Sequence, residues 1–498
     1  MISMVIEQLL SFQTIIALVI GVVGGIAIGA LPGLSTTMAI ALLVPITFSM
    51  EPVAGLVMLT AIYTSATYGG SIASILLHTP GTPAAAATAL DGYQLTLKGK
   101  ASTAIGVATF SSMVGGFISG IALLFLAPPL AQLSLMFSAP EYLLLAIFGL
   151  TIIGSLSSGS MLKGLASGAI GLLIGTIGID IITGFPRFTF GSMSLESGIA
   201  LIPALIGLFS LSQVFILIEN QVKSGKKVNA KQASGKFFPS KSIIKRITPT
   251  VLRSSGLGVI VGIMPGAGGD VGSWVGYNEA KRFSKRKEEF GKGSVEGVAG
   301  SESANNAVTG GAIIPMMTLG IPGSSATAVL LGGLMIQGLV PGSELFTTNG
   351  HLSYAIIIGF IIANILMGIV GFIGAKYFIK VLDVPQNLII AIIITICMVG
   401  SYAINNSIFD IWVMVFFGIF GYFLRKAGFS TAPIILGMIL GPIAERSLGQ
   451  ALVMSQDNFF VYLLSRPISV IFIVLILLTI LTPLIMKLIR NRKKEAVS

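Results

Sequence analysis

Gly262-Ile-Met-Pro-Gly-Ala-Gly-Gly269 closes a long apolar run with a Pro-Gly pair and continues in small residues. The chain carries a partner to it near its beginning, Gly29-Ala-Leu-Pro-Gly-Leu-Ser-Thr36. Each is followed at a similar distance by a second pair, Pro80-Gly81 in the first half and Pro322-Gly323 in the second. Proline removes an amide donor and glycine permits unusual dihedrals, so each pair predicts a helix unwound within apolar sequence. Four such breaks, arranged as two pairs, are the feature around which the chain is organised.

Composition sets the class. The 498 residues are 54% hydrophobic and 10% charged, with a mean hydropathy of +0.94, which excludes a soluble globule. Apolar runs near 101–127, 142–157, 164–183, 197–218, 352–375, 384–403 and 467–486 are mostly long enough to cross hydrocarbon as helices. The alternating period of an outer-membrane barrel is absent. The expectation is an all-α polytopic membrane protein of roughly 10–14 membrane segments, some of them broken or re-entrant. A single cysteine, Cys397, excludes an internal disulfide and any cysteine-based metal cluster. The net charge of +11 reads as a positive cytoplasmic face and not as a nucleic-acid surface. No Lys or Arg precedes the first apolar run, so a cleaved signal peptide is not expected.

Charge also gives the topology. No Lys or Arg occurs before Lys98, which places the start and the Glu51-Pro52 turn outside and Lys98 and Lys100 inside. The run 101–127 then goes outward to a turn at Pro128-Pro129, and 142–157 returns to Lys163. Residues 164–183 lead out to the loop Gly184–Ser197, and 197–218 comes back in. Residues 220–253 hold seven Lys, two Arg and no acid, and read as a basic cytoplasmic linker. It divides a first transmembrane repeat, 1–219, from a second, 254–498. The second reads in the opposite sense: Lys281-Arg282 and Lys285-Arg286-Lys287 are inside, and the Pro341-Gly342 turn is outside. Lys376, Lys380, Arg425-Lys426 and the basic C-terminus are again inside. That is an inverted repeat.

Such an arrangement points to transport. Broken backbone is tolerated at membrane depth only where it is buried in protein or lines a watery cavity. Unwinding exposes the amides of the following half-helix, whose partial positive charge suits an anion. Interrupted helices paired across an inverted repeat mark a secondary transporter's midplane site. The candidate site is therefore Pro32, Gly33, Ser35 and Thr36 at the first break and Pro80, Gly81 and Thr82 at the second. It continues with Pro265, Gly266, Gly268 and Gly269 at the third, and Pro322, Gly323, Ser324 and Ser325 at the fourth. Rival classes lack their motifs. The tetrapeptide Ala267-Gly-Gly-Asp270 fails the Gly-x-Gly-Asp of intramembrane aspartyl proteases at its first position. A Gly-x-Ser-Gly serine site would need a paired histidine, and only His78 and His351 exist. The Gly-x-x-x-x-Gly-Lys-Ser/Thr of an ATP-driven pump is absent.

Two blocks carry a resemblance. One is Tyr68-Gly-Gly-Ser-Ile with His78-Thr-Pro-Gly-Thr-Pro83 and Asp91-Gly-Tyr. The other is Glu302-Ser-Ala-Asn-Asn306 with Gly311-Ala-Ile-Ile-Pro-Met-Met-Thr-Leu-Gly-Ile-Pro-Gly-Ser324 and Gly338-Leu-Val-Pro-Gly342. With the paired Pro-Gly segments, these resemble the large transmembrane subunit of the tripartite tricarboxylate transporters. The resemblance implies a multi-pass importer of citrate-like tri- or dicarboxylates in the bacterial inner membrane, with no enzymatic activity and no cofactor. It implies a small four-helix membrane subunit and an extracytoplasmic solute-binding protein as partners, and a Na⁺ or H⁺ gradient as driving force. A self-sufficient carboxylate symporter, or a large subunit of TRAP type, is the alternative. The charge map adds an outside N-terminus and a cytoplasmic C-terminus.

Polar residues in the apolar runs complete the candidates. Asn305 and Asn306 can offer oxygens to a cation or amides to a carboxylate, or can bridge helices; Na⁺ is placed near Ser35, Asn305 and Asn306. Glu302 in a membrane needs a partner, water or a proton, which makes it a coupling candidate. His78 binds substrate or a proton, or is structural. Asp270 coordinates a cation or faces water. Asp91, Lys98 and Lys100 read as loop residues, and Trp274 and Trp412 as interfacial anchors.

Overall fold

Helices stop where the Pro-Gly pairs fall. A computed structural model describes residues 2–156, 161–180, 183–224, 236–456 and 458–495. In its first half run α1 (Ile2–Leu10), α2 (Phe12–Ala30), α3 (Thr36–Thr47) and α4 (Pro52–Leu77). A 3-10 turn, Pro83–Ala85, then leads into α5 (Ala86–Leu97), followed by α6 (Ala101–Ser134), α7 (Ala139–Leu156) and α8 (Met161–Gly175). A two-residue antiparallel ladder, β1 (Gly178–Ile179) with β2 (Pro186–Arg187), and α9 (Met193–Glu196) lead to α10 (Leu201–Leu205). The π-helical segment Ile206–Leu211 joins α10 to α11 (Ser212–Ser224).

The second half opens with α12 (Lys241–Ile263), α13 (Gly268–Phe283), α14 (Val295–Leu319) and α15 (Ser325–Ile336). It continues with α16 (Ser343–Thr347), α17 (Gly350–Val381), α18 (Gln386–Asn405), α19 (Ile408–Lys426) and α20 (Ala432–Met454). A bent pair closes it, α21 (Phe459–Ser465) and α22 (Pro467–Glu495). Part of the basic stretch 220–253, residues 225–235, lies outside the described residues; from Lys241 it is helical. Among the described residues seven helices are long and apolar enough to cross a membrane, with the bent pair as an eighth span. The chain is an all-α, multi-pass membrane protein.

Two expectations are corrected. Pro128 and Pro129 do not turn the chain but sit inside α6, which runs 34 residues to Ser134. The lost amide bonds sit near the end of a helix whose Leu123, Ala127 and Ala131 face is buried, so it continues through them. The run 164–183 is helical only to Gly175, where the chain enters the short β ladder.

Close packing of small residues explains how the breaks are held. Helix α2 lies on α4 through Gly21, Gly25 and Gly29; a Cβ at Gly29 would fall 2.2 Å from Ala66 O. Helix α12 lies on α14 in the same manner, and Cβ atoms at Gly258 and Gly262 would fall 2.4 Å from Ala304 O and 2.6 Å from Val308 O. The second break of each half then rests on that glycine. A Cβ at Gly81 would meet Gly29 O at 2.5 Å, and one at Gly323 would meet Gly262 O at 2.8 Å. Left-handed residues also recur: Gly33 (φ 87°) and Gly266 (φ 80°) follow the first prolines, while His78 (φ 55°) and Gly320 (φ 70°) end α4 and α14.

The helices pack as two bundles. One contains α2, α4, α5, α6, α12, α13, α14 and α17, with α4 and α14 buried along nearly their whole length. The other contains α7, α8, α10, α11, α18, α19, α20 and α22. Extensive packing between them runs through α3, which lies on α4, α18 and the π-helical segment, and α15, which lies on α4, α14 and α20.

Candidate functional site

Each break hands over to a helix whose first turn faces the same cavity, about 540 Å³ in volume. Ser35 has extended backbone and accepts from Met38 N at 3.2 Å, which starts α3; Thr36 and Thr37 follow it into the cavity wall. Ser324 and Thr327 form a reciprocal capping box at α15, with Ser324 N donating to Thr327 Oγ1 at 2.8 Å and Thr327 N to Ser324 Oγ at 3.2 Å. These two tips touch: Thr37 Oγ1 and Ser325 Oγ share a hydrogen bond of 3.1 Å, and the Tyr63 hydroxyl of α4 lies 3.3 Å from Ser324 Oγ.

The other two tips also meet. Gly268 (φ 62°), Gly269 and Asp270 open α13, and Thr82 precedes the turn into α5. A Cβ at Gly269 would lie 2.5 Å from Asn305 Oδ1 and 3.1 Å from Ala84 Cβ, so only glycine lets the three elements close up. Gly266 N donates to Gly323 O at 2.8 Å, and Gly81 N to Gly70 O at 3.3 Å. Four helix starts thus converge. Those of α3, α13 and α15 carry unpaired amides and a partial positive charge. The second break instead opens on a 3-10 turn whose Pro83 has no amide N–H and whose Ala85 N and Ala86 N are bonded to Thr82 O and Pro83 O.

Asn305 is the sharpest feature of the wall. Its side chain has no exposure, and neither Oδ1 nor Nδ2 has a hydrogen-bond partner among the described residues. Thr82 Oγ1, also buried, is likewise unpartnered. Buried polar atoms are rarely left so, and here they belong to residues lining a cavity that can hold a polar solute.

The opposite wall comes from the second bundle. Arg425, Phe429 and Thr431 line it, and sequence reading placed none of them there. Arg425 Nη1 donates to Gln213 Oε1 at 2.6 Å and Nη2 to Leu208 O at 3.3 Å. The π-helical segment carries that carbonyl, and such segments often mark functional positions. In the sequence Arg425-Lys426 is a pair of topology-marking charges. Packing separates them: Lys426 turns out to Glu219 at 2.7 Å, while Arg425 turns in.

Of the residues expected at the site, Ser35, Thr36, Thr82, Gly266, Gly268, Gly269, Asn305, Ser324 and Ser325 line the cavity. Pro32, Gly33, Pro80, Gly81, Pro265, Pro322 and Gly323 are not in its wall and form the turns that hold it. Glu302 and Asn306 are not in the wall either. Glu302 is fully buried, accepts from Thr88 and from Ser112 Oγ (3.0 Å), and has no cationic partner among the described residues. Asn306 Nδ2 donates to Thr64 Oγ1 at 3.0 Å, and Thr64 in turn to Asn364 Oδ1 at 2.6 Å. Ser35 and Asn305 are therefore the proposed Na⁺ ligands that reach the cavity. No group of three His, Cys, Asp or Glu side chains gathers among the described residues.

The remaining polar candidates divide. Asp270 is exposed and lines the cavity. His78 is exposed and stacks on Tyr93 at 4.7 Å. Asp91 is not a loop residue: it is buried within α5, accepts from Gly293 N and Ser294 N at 2.8 Å each, and receives Tyr277 OH at 2.9 Å. A carboxylate on the two amides just ahead of α14, the second that of its N-cap Ser294, complements that helix's dipole. Trp274 and Trp412 are both exposed.

The profile of the tripartite tricarboxylate transporter TctA family matches residues 15–436. An Agrobacterium vitis protein described as "Uncharacterized 52.8 kDa protein in TAR-I ttuC' 3'region" is 39% identical over 463 residues, 93% of this chain and 91% of that protein. A second, "Uncharacterized protein in TAR-II ttuC' 3'region" from the same organism, is 36% identical over 212 residues, 43% of this chain and 87% of its own. No solved structure matches. A profile match across most of the chain, joined to four broken helices around one cavity, means that the chain belongs to the tripartite tricarboxylate transporter TctA family.

Proposed function

We propose that the chain is the permease subunit of a binding-protein-dependent secondary transporter that imports citrate-like tri- or dicarboxylates on a Na⁺ or H⁺ gradient. One observation carries this reading: four helix starts and the unpartnered Asn305 amide share one cavity. Converging N-terminal amides stabilise a carboxylate, and a solute bound there supplies the hydrogen bonds that Asn305 and Thr82 lack. No covalent step is needed. On this reading the partners are a small four-helix membrane subunit and an extracytoplasmic solute-binding protein, which delivers solute at the Gly184–Ser197 and Pro341–Gly350 loops. The membrane is the bacterial inner membrane, with the N-terminus outside and the C-terminus in the cytoplasm. Glu302, buried without a cation three residues before Asn305 on α14, is the candidate coupling group.

Alternating access follows from an inverted repeat. The same order recurs in both halves: helix, break, helix, long buried helix, break, helix. Packing is reciprocal as well, for α8 lies on α20 while α11 lies on α19. Both facts support the repeat. The halves differ in one respect. Helix α3 is buried between the bundles, whereas its counterpart α13 leaves Val271 and Trp274 exposed. Exchanging these two arrangements would close the cavity on the side of Arg425, Lys426 and Lys163 and open the other. On the positive-inside reading those charges lie on the cytoplasmic side, which makes this arrangement the inward-facing one of the proposed cycle.

Uptake of labelled citrate into proteoliposomes holding the chain, its small subunit and the binding protein tests this. Accumulation that survives collapse of both ion gradients sinks the secondary-transport reading. Accumulation without the binding protein favours a self-sufficient symporter.

A further inference from the structure

Resting on that carboxylate reading, we infer that Arg425 is the counter-charge for a second substrate carboxylate, and so sets a preference for di- and tricarboxylates over monocarboxylates. It is the one cationic side chain among the residues lining the cavity. It has no carboxylate within ion-pair distance among the described residues; Glu219 is taken by Lys426, and Asp270, the acid in the wall, does not pair with it. Gln213 and Leu208 use two of its five N–H groups and fix the plane of the guanidinium. Three have no partner among the described residues. A planar fork with spare donors suits a carboxylate better than a point charge does.

Its position decides the class of solute. The helix N-termini of α3 and α15 and the Asn305 amide lie on one side, and Arg425 enters from α19 in the second bundle. A solute with one carboxylate satisfies one wall and leaves the other charge uncompensated. A solute with two satisfies both. It also bridges two bundles that pack on each other chiefly through α3 and α15, so the contact that selects the substrate also ties it to bundle movement.

The test compares thermal unfolding of the purified full-length chain, wild type against Arg425→Gln and Arg425→Lys, titrated with citrate, succinate and butyrate. Wild type should bind citrate and succinate more tightly than butyrate. Arg425→Gln should weaken citrate and succinate roughly 10- to 150-fold while leaving butyrate unchanged. Arg425→Lys, which keeps the charge without the fork, should fall between. Equal weakening for all three ligands means a structural role and overturns the inference, as does no weakening at all. If Arg425→Gln does not fold, the citrate-to-butyrate ratio of Arg425→Lys decides alone, and an unchanged ratio overturns it. A wild-type chain blind to all three ligands overturns the carboxylate reading itself, and this inference with it.

Discussion

Replacing Asn305 with leucine separates what stabilises this protein from what makes it work. The Asn305 side chain is fully buried, and both its polar atoms lack partners. An orphaned buried group costs about 1–3 kcal/mol, and leucine of nearly the same shape removes both at once. Gly269 packs directly against the amide oxygen, so the new methyl groups meet backbone and not a void. The net expectation is a gain of about 1–3 kcal/mol, a rise in unfolding temperature of roughly 1–4 °C for a chain of this size. Uptake in proteoliposomes should be lost in the same variant, because the wall no longer offers an amide to the solute. A stabilised variant that still transports would refute the assignment of Asn305 to the solute. A destabilised one would show that the amide has a protein partner after all.

Other consequences follow from the same contacts. Gly29→Ala and Gly262→Ala should each cost about 1–3 kcal/mol, since the added Cβ strikes a carbonyl oxygen. Gly24→Ala and Gly256→Ala, with nothing within 4 Å, should instead stabilise by about 0.5–1 kcal/mol; unfolding temperatures of the four variants check the contrast. Asp91→Ala should cost about 2–4 kcal/mol by removing two hydrogen bonds at the start of α14 and one from Tyr277 of α13, and Asp91→Asn much less, read from the yield of folded protein and its unfolding temperature. Gly400→Ala should likewise cost about 1–3 kcal/mol, read as a lowered unfolding temperature, because its Cβ would fall 2.8 Å from Pro45 Cβ where α18 meets α3.

Membrane class, the helix breaks and the rough positions of the longest apolar helices were legible in the sequence, because length, hydropathy and Pro-Gly act locally. Proline and glycine set backbone options without reference to what lies far away, so all four breaks fall where the residues put them. Pro128-Pro129 shows the limit. The same residue type that ends α2 is carried inside α6, since tertiary packing outweighs the lost bonds there. Tertiary structure alone decided which residues share a wall. Nothing in the sequence separates Asn305 from Asn306, yet the first lines the cavity and the second lies outside its wall with its Nδ2 donated to Thr64, because successive helix positions point about 100° apart. Arg425 was legible only as a charge, and it reaches the cavity because Gln213 and the Leu208 carbonyl, more than two hundred residues away, hold it there. Local chemistry determined where the chain breaks; long-range packing determined which broken ends, and which single cation, meet around one cavity.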